Sequence, residues 1–141
     1  MKTPRTLLLA ALLAAAHGHA APGDDDALQQ LISTYQQAAA QGDAKTVAAI
    51  THIPPNILAQ KSEAEARAMV ESFLSAGFGN NGGGRFNDTF TITGIDYLDN
   101  DTRAIVHGTA QTRDGQNLNV RWKAVKHDSH GWQYDGMELV E

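Results

Sequence analysis

The strongest constraint on this chain is a change of hydrophobic period on either side of the glycine-rich stretch "GFGNNGGGRF", Gly77 to Phe86. Before it, apolar residues recur at three- and four-residue intervals, the spacing of one face of an α-helix. After it, runs rich in Val, Ile, Thr, Tyr and Phe are separated by Asp-, Asn- and Gly-containing turns, the pattern of short antiparallel strands. Helices first and strands afterwards predict an α+β domain: N-terminal helices packed on a curved four-stranded antiparallel sheet.

The first helix is expected from the acidic "DDD" of Asp24 to Asp26, which supplies candidate N-caps, through a stripe of Leu28, Leu31, Ile32, Tyr35 and Ala39. Gly42 stops it, and Asp43 caps a short second helix that carries Val47 and Ile50 until Pro54-Pro55. Ser62 and Glu65 form an S-x-x-E capping box for a third helix. Its stripe of Ala66, Met69, Val70, Phe73 and Leu74 is expected to be buried against the sheet, with Gly77 as the residue past its end and Phe78 folded back onto Phe73. Strands are expected near 86–98, 102–112, 117–126 and 131–140.

The glycine loop matches G-x-G-x-x-G and nearly matches G-x-x-x-x-G-K-[ST]. Both patterns need a strand before the loop and a helix after it, because the helix N-terminus holds the phosphate. Here the order is reversed, so the loop reads as a connection between layers and no nucleotide cofactor is expected.

The first 20 residues read as a signal peptide. Lys2 and Arg5 precede an apolar run, Leu7 to Ala16, that is too short to span a bilayer, and Gly18-His19-Ala20 offers small residues for cleavage after Ala20. Residues 21–141 then form a single domain, expected in the periplasm or secreted, with no membrane anchor. They hold nine basic against 16 acidic residues, a formal charge of −7. That balance disfavours nucleic acid as a partner. The absence of cysteine excludes disulfides and thiolate metal sites. No metal site is expected, since His127 and His130 about a single turn fall short of the usual three or four ligands.

The junction "YQQAAAQGDAKTVAAI", Tyr35 to Ile50, and the ending "RWKAVKHDSHGWQYDGMELV" resemble NTF2-like proteins, which share the cystatin-like α+β roll. The resemblance covers the order of elements across most of residues 21–141. It departs where only "IPPNILAQ" stands between the second and third helices. It implies either a non-catalytic domain that binds a small ligand or a protein partner, a homodimer through the sheet included, or a small enzyme of the isomerase, dehydratase or hydrolase kind. In similar isomerases a tyrosine at the offset of Tyr35 serves an oxyanion hole. The matching carboxylate base is missing here, because no Asp or Glu lies between Asp43 and Glu63, and Lys123 falls where the carboxylic acid would sit. No catalytic residue is assigned on that basis.

The Asp114-Gly115 turn bears on a candidate pocket. A two-residue loop pairs Arg113 with Gln116 and sets His107 opposite Trp122. His107, Thr109 and Gln111 then share the inner face with Trp122, and with Tyr35 they make a candidate pocket for a small molecule. A one-residue slip instead turns Ala104, Val106 and Ala110 inward and exposes His107. Asp96, Arg103, Arg121 and Asp135 could form the Asp-Arg-Asp arrangement of an epoxide hydrolase or stand as solvent-facing strand residues. The latter is favoured, because such surface charges are common on strands.

Overall fold

A computed structural model describes residues 23–78 and 83–141. Residues 1–22, which include the expected signal peptide, and residues 79–82 of the glycine loop lie outside the described residues. Among the described residues four helices, α1 (Asp24–Gln41), α2 (Ala44–Ile50), α3 (Pro55–Leu58) and α4 (Glu63–Phe78), precede four strands, β1 (Phe86–Leu98), β2 (Arg103–Thr112), β3 (Asn117–His127) and β4 (Gly131–Leu139). The sheet is an antiparallel meander in the order β1-β2-β3-β4 and is not closed. A helix-then-sheet α+β domain is therefore what the change of period encodes.

α1 begins differently from expectation. Gly23, at φ 88, occupies the cap position, and no side chain caps the helix. The aspartates lie in the first turn, where their carboxylates are drawn into tertiary bonds. Asp24 Oδ1 accepts from Lys126 Nζ and from Trp132 Nε1, each at 3.0 Å. Asp25 accepts from the Tyr97 hydroxyl. These bonds fasten the start of α1 to β1, β3 and β4. At the other end Gly42, at φ 73, sits where a left-handed residue is needed. Its N–H bonds to Ala39 O, and the next N–H, of Asp43, bonds to Ala38 O at 2.8 Å, the paired closure of a Schellman motif. Asp43 then caps α2, accepting from Thr46 N at 3.2 Å.

α1 lies across the inner face of the sheet, chiefly against β1 and β4. Leu28 and Ile32 are fully buried there with Ile95, Val106 and Trp122. The Trp122 indole N–H, which needs an acceptor once buried, donates to Gln36 Oε1 at 3.1 Å. Gly108 lies beneath the ring. A Cβ at that position would collide with the Thr91 carbonyl oxygen and sit 2.9 Å from the Trp122 ring.

The register between β2 and β3 is the slipped one. Val106 pairs with Trp122, Gly108 with Val120 and Ala110 with Leu118, while His107 pairs with Arg121. The expected Arg113–Gln116 pair does not form, because the turn is longer by one residue. Gly115 N bonds to Thr112 O at 3.0 Å, Thr112 N bonds to Gln116 O at 2.8 Å, and Gly115 takes φ 94. Three residues, 113–115, thus close the hairpin through a turn and a glycine in the left-handed region, which is a common alternative to the two-residue loop. Ala104, Val106 and Ala110 face inward, and His107 is moved to the outer face.

The third helix also departs from expectation. Its capping box is formed: Ser62 Oγ accepts from Glu65 N, and Glu65 Oε1 accepts from Ser62 N, both at 3.1 Å. Its stripe is not buried against the sheet. α4 packs on α2 and touches α3, and only Ala66 of the stripe is buried. Met69 is 54% exposed and Phe73 80%. The reason is that α1 already covers the inner face of the sheet, which leaves α4 in a layer beyond α2. Gly77 does not stop α4, which continues to Phe78 without a left-handed residue. Phe78 packs on Ala38, Ala39 and Val47 rather than folding back on Phe73.

Pro54-Pro55 does more than end α2. Pro55 opens the single turn of α3, a first-turn position that costs a proline no hydrogen bond. Ahead of it, Thr51 bridges in parallel to Tyr134, and His52 N donates to Tyr134 O at 2.7 Å. The short connection thereby covers part of the β4 edge.

Candidate functional site

The uncovered stripe of α4 forms one wall of a groove of about 610 Å3. Met69, Val70, Phe73 and Leu74 line it from α4, Val47 from α2, and Ile53, Pro54 and Ile57 from the connection that follows. Tyr35 of α1 and Tyr134 of β4 form its floor, their rings stacked at 4.0 Å with 16° between planes. The volume falls within the usual range for a small-molecule pocket, about 300–1,000 Å3, and the lining has the predominantly apolar character of one.

Its polar groups are few. Thr51, His52 and Asp135 stand at one side. Asp135 owes its place to a bulge. Trp122 pairs with Met137 but Ala124 with Tyr134, so Asp135 and Gly136 together oppose Lys123, and Gly136 takes φ 116. A bulge of this kind re-aims the side chain it carries. His52 Nδ1 lies 2.7 Å from His127 Nε2, an imidazole pair that ties the connection to the end of β3. Burial holds the His52 ring below the ordinary histidine range, and the neighbouring His127 and Arg67 add to this while Asp135 opposes it. The Tyr134 hydroxyl is pushed far up, first by burial and then by Tyr35, so it stays protonated. Arg67 braces the wall from behind. It donates to Ala48 O at 2.6 Å and Thr51 O at 2.7 Å, and its Nε meets Glu63 at 2.9 Å.

Of the five residues expected to share a pocket, only Tyr35 reaches this groove. Trp122 is in the core, and His107, Thr109 and Gln111 are on the outer face of β2. His107 Nε2 meets Asp96 Oδ2 there at 2.8 Å, and Gln111 Oε1 accepts from Asn87 Nδ2 at 2.8 Å. The one-residue difference in the turn moves His107, Thr109 and Gln111 to the outer face. Asp96, Arg103, Arg121 and Asp135 do not converge either: Arg103 meets Asp99 at 3.3 Å and Arg121 meets Glu138 at 3.6 Å. His130 meets Glu63 at 3.2 Å, and among the described residues no three metal-ligating side chains gather. Sequence reasoning passed over His52 and Tyr134 of this groove and weighed Asp135 only beside Asp96, Arg103 and Arg121, not with Tyr35. A glycine inside a strand pattern is a bulge signal, and Asp135-Gly136 carries it.

Among the described residues α4 precedes the glycine loop and β1 follows it, the reverse of the strand-loop-helix order that phosphate-binding loops need. Among the described residues no helix is long and apolar enough to cross a membrane. No family model, curated protein or solved structure matches this chain.

Proposed function

We propose that this protein is an exported, non-catalytic domain of the NTF2-like kind that binds a small apolar molecule in the groove between α4, α2 and β4. The observation that carries the reading is the uncovered helix face. An α4 that leaves Phe73 80% exposed beside an apolar groove of about 610 Å3 has an apolar surface its own chain does not fill. Such surfaces mark interaction sites. The NTF2-like part rests on the order of elements and on α1 lying along the sheet.

The enzyme alternative has less support. Its two residues, Tyr35 and His107, lie on opposite sides of the sheet, and the His107–Asp96 pair stands in the open. A partner docked on the outer sheet face is also less favoured. Asp96, His107, Arg121 and Glu138 form a row across all four strands there, and each is already paired within the chain.

The test is a titration with a neutral solvatochromic dye. The wild type should give saturable, blue-shifted emission. Val70→Arg, which sets a guanidinium on the groove wall, should abolish it while the unfolding midpoint stays near that of the wild type. No saturable signal, or a signal indifferent to Val70→Arg, would remove the proposal. Export is checked separately by the mass of the secreted protein, which should begin at Ala21.

A further inference from the structure

We propose that the groove selects an organic cation, an amine or quaternary ammonium carried on an apolar body, with Asp135 as its counter-ion. This rests on the groove being a ligand site and adds the chemical class of the ligand.

Several acids of the chain are paired with a base. Asp24 meets Lys126, Glu63 meets Arg67, Asp96 meets His107, Asp99 meets Arg103, and Glu138 meets Arg121. The Asp135 side chain has no hydrogen bond or ion pair among the described residues, although the residue is half-buried and lines an apolar groove. A carboxylate in such a place loses hydration without a compensating partner. A ligand cation would supply one.

The surrounding groups leave that charge uncompensated. Arg67, from α4, is committed to Glu63 and to two backbone carbonyls. His52, from the connection, is held toward its neutral form by burial and is bonded to His127 of β3. His130, beyond His127, is engaged by Glu63. Lys123 lies across the bulge and forms no ion pair with Asp135, though its Cε would be 3.6 Å from a Cβ at Gly136. The carboxylate's field reaches the groove floor, where it opposes ionisation of the Tyr134 hydroxyl.

The walls suit the same ligand. Tyr35, Tyr134 and Phe73 place aromatic rings around the groove, and an aromatic face attracts a cation within about 6 Å of its centroid. Residues 21–141, with 16 acidic against nine basic residues, favour approach of a cation over an anion.

The experiment uses three probes with one tail: octyltrimethylammonium, octanol and octyl sulfate, each below its micelle concentration. Calorimetry at pH 7.5 and physiological salt compares the wild type with Asp135→Asn, Asp135→Glu and Asp88→Asn, the last an exposed acid on β1. The expected order is cation, then alcohol, then sulfate, with the cation bound at least about tenfold more tightly than the alcohol, equivalent to about 1.4 kcal/mol. Asp135→Asn should erase that preference and leave octanol unchanged. Asp135→Glu and Asp88→Asn should keep it. Equal binding of cation and alcohol by the wild type, or a preference that survives Asp135→Asn, overturns the cation assignment and leaves the groove standing. Failure of all three probes overturns the groove itself, and this inference with it.

Discussion

Two apolar helix faces in this chain look alike in sequence and end differently. On α1, Leu28, Leu31 and Ile32 are buried against the sheet, and Trp122 closes that layer with its indole N–H on Gln36. On α4, a stripe of the same spacing leaves Met69 and Phe73 open and only half-covers Val70 and Leu74. Periodicity reveals which face of a helix is apolar. It does not reveal whether another element remains to cover that face. A four-stranded sheet offers one inner face, and α1 occupies it. The leftover face is what makes a groove.

If one face is a core and the other a site, substitutions on the two should separate stability from binding. The largest effect is expected at Trp122. Trp122→Ala should cost about 3–5 kcal/mol in chemical denaturation, and it also strips Gln36 Oε1 of its donor. A loss near zero would mean that the α1 side is not the core. Gly108→Ala comes next, since the added methyl has no room beside Thr91 O and the Trp122 ring. Overpacking of this kind should cost about 1–3 kcal/mol, and a variant as stable as the wild type would show that the sheet yields there. Phe73→Ala should change stability by no more than about 0.5 kcal/mol, as expected of an exposed position, while weakening dye binding. If it unfolds the protein as Trp122→Ala does, the contrast between the faces disappears.

The smallest effect concerns pH and belongs to the groove side. The folded-state pKa of His52 lies below its unfolded value of about 6.5. Above that value the ring is neutral in both states and contributes no pH dependence. As pH falls below it, the unfolded chain takes up the proton first, so native stability declines until the pH passes the folded pKa. Denaturation at pH 7.5 and 5.5 should therefore show an acid loss that is smaller in His52→Gln. An equal loss in both would dissociate the imidazole pair from the stability of this wall.

Much of the fold was legible. The strand boundaries, the Schellman glycine at Gly42 and the Asp43 and Ser62–Glu65 caps follow from local chemistry, in which a few neighbouring residues decide the outcome. The β2–β3 register was legible only as two alternatives. Asp114-Gly115 is compatible with loops of two or three residues, and one residue decides whether His107 faces Trp122 or solvent. The site was less legible still. Tyr35 was found from the α1 stripe, but Asp135 reaches the groove through a bulge, and His52 through a bridge to Tyr134 that spans the whole domain. Long-range placement of that kind leaves little trace in neighbouring residues.

The central claim is that α4 and its surroundings form an open ligand site while the sheet side is closed. The most direct test is methyl NMR of the folded protein during titration with octyltrimethylammonium. Saturable shifts are expected at Val47, Ile53, Ile57, Met69, Val70 and Leu74, with Ile95, Val106 and Val120 unmoved. Shifts centred on the sheet core, or none at millimolar ligand, would contradict it.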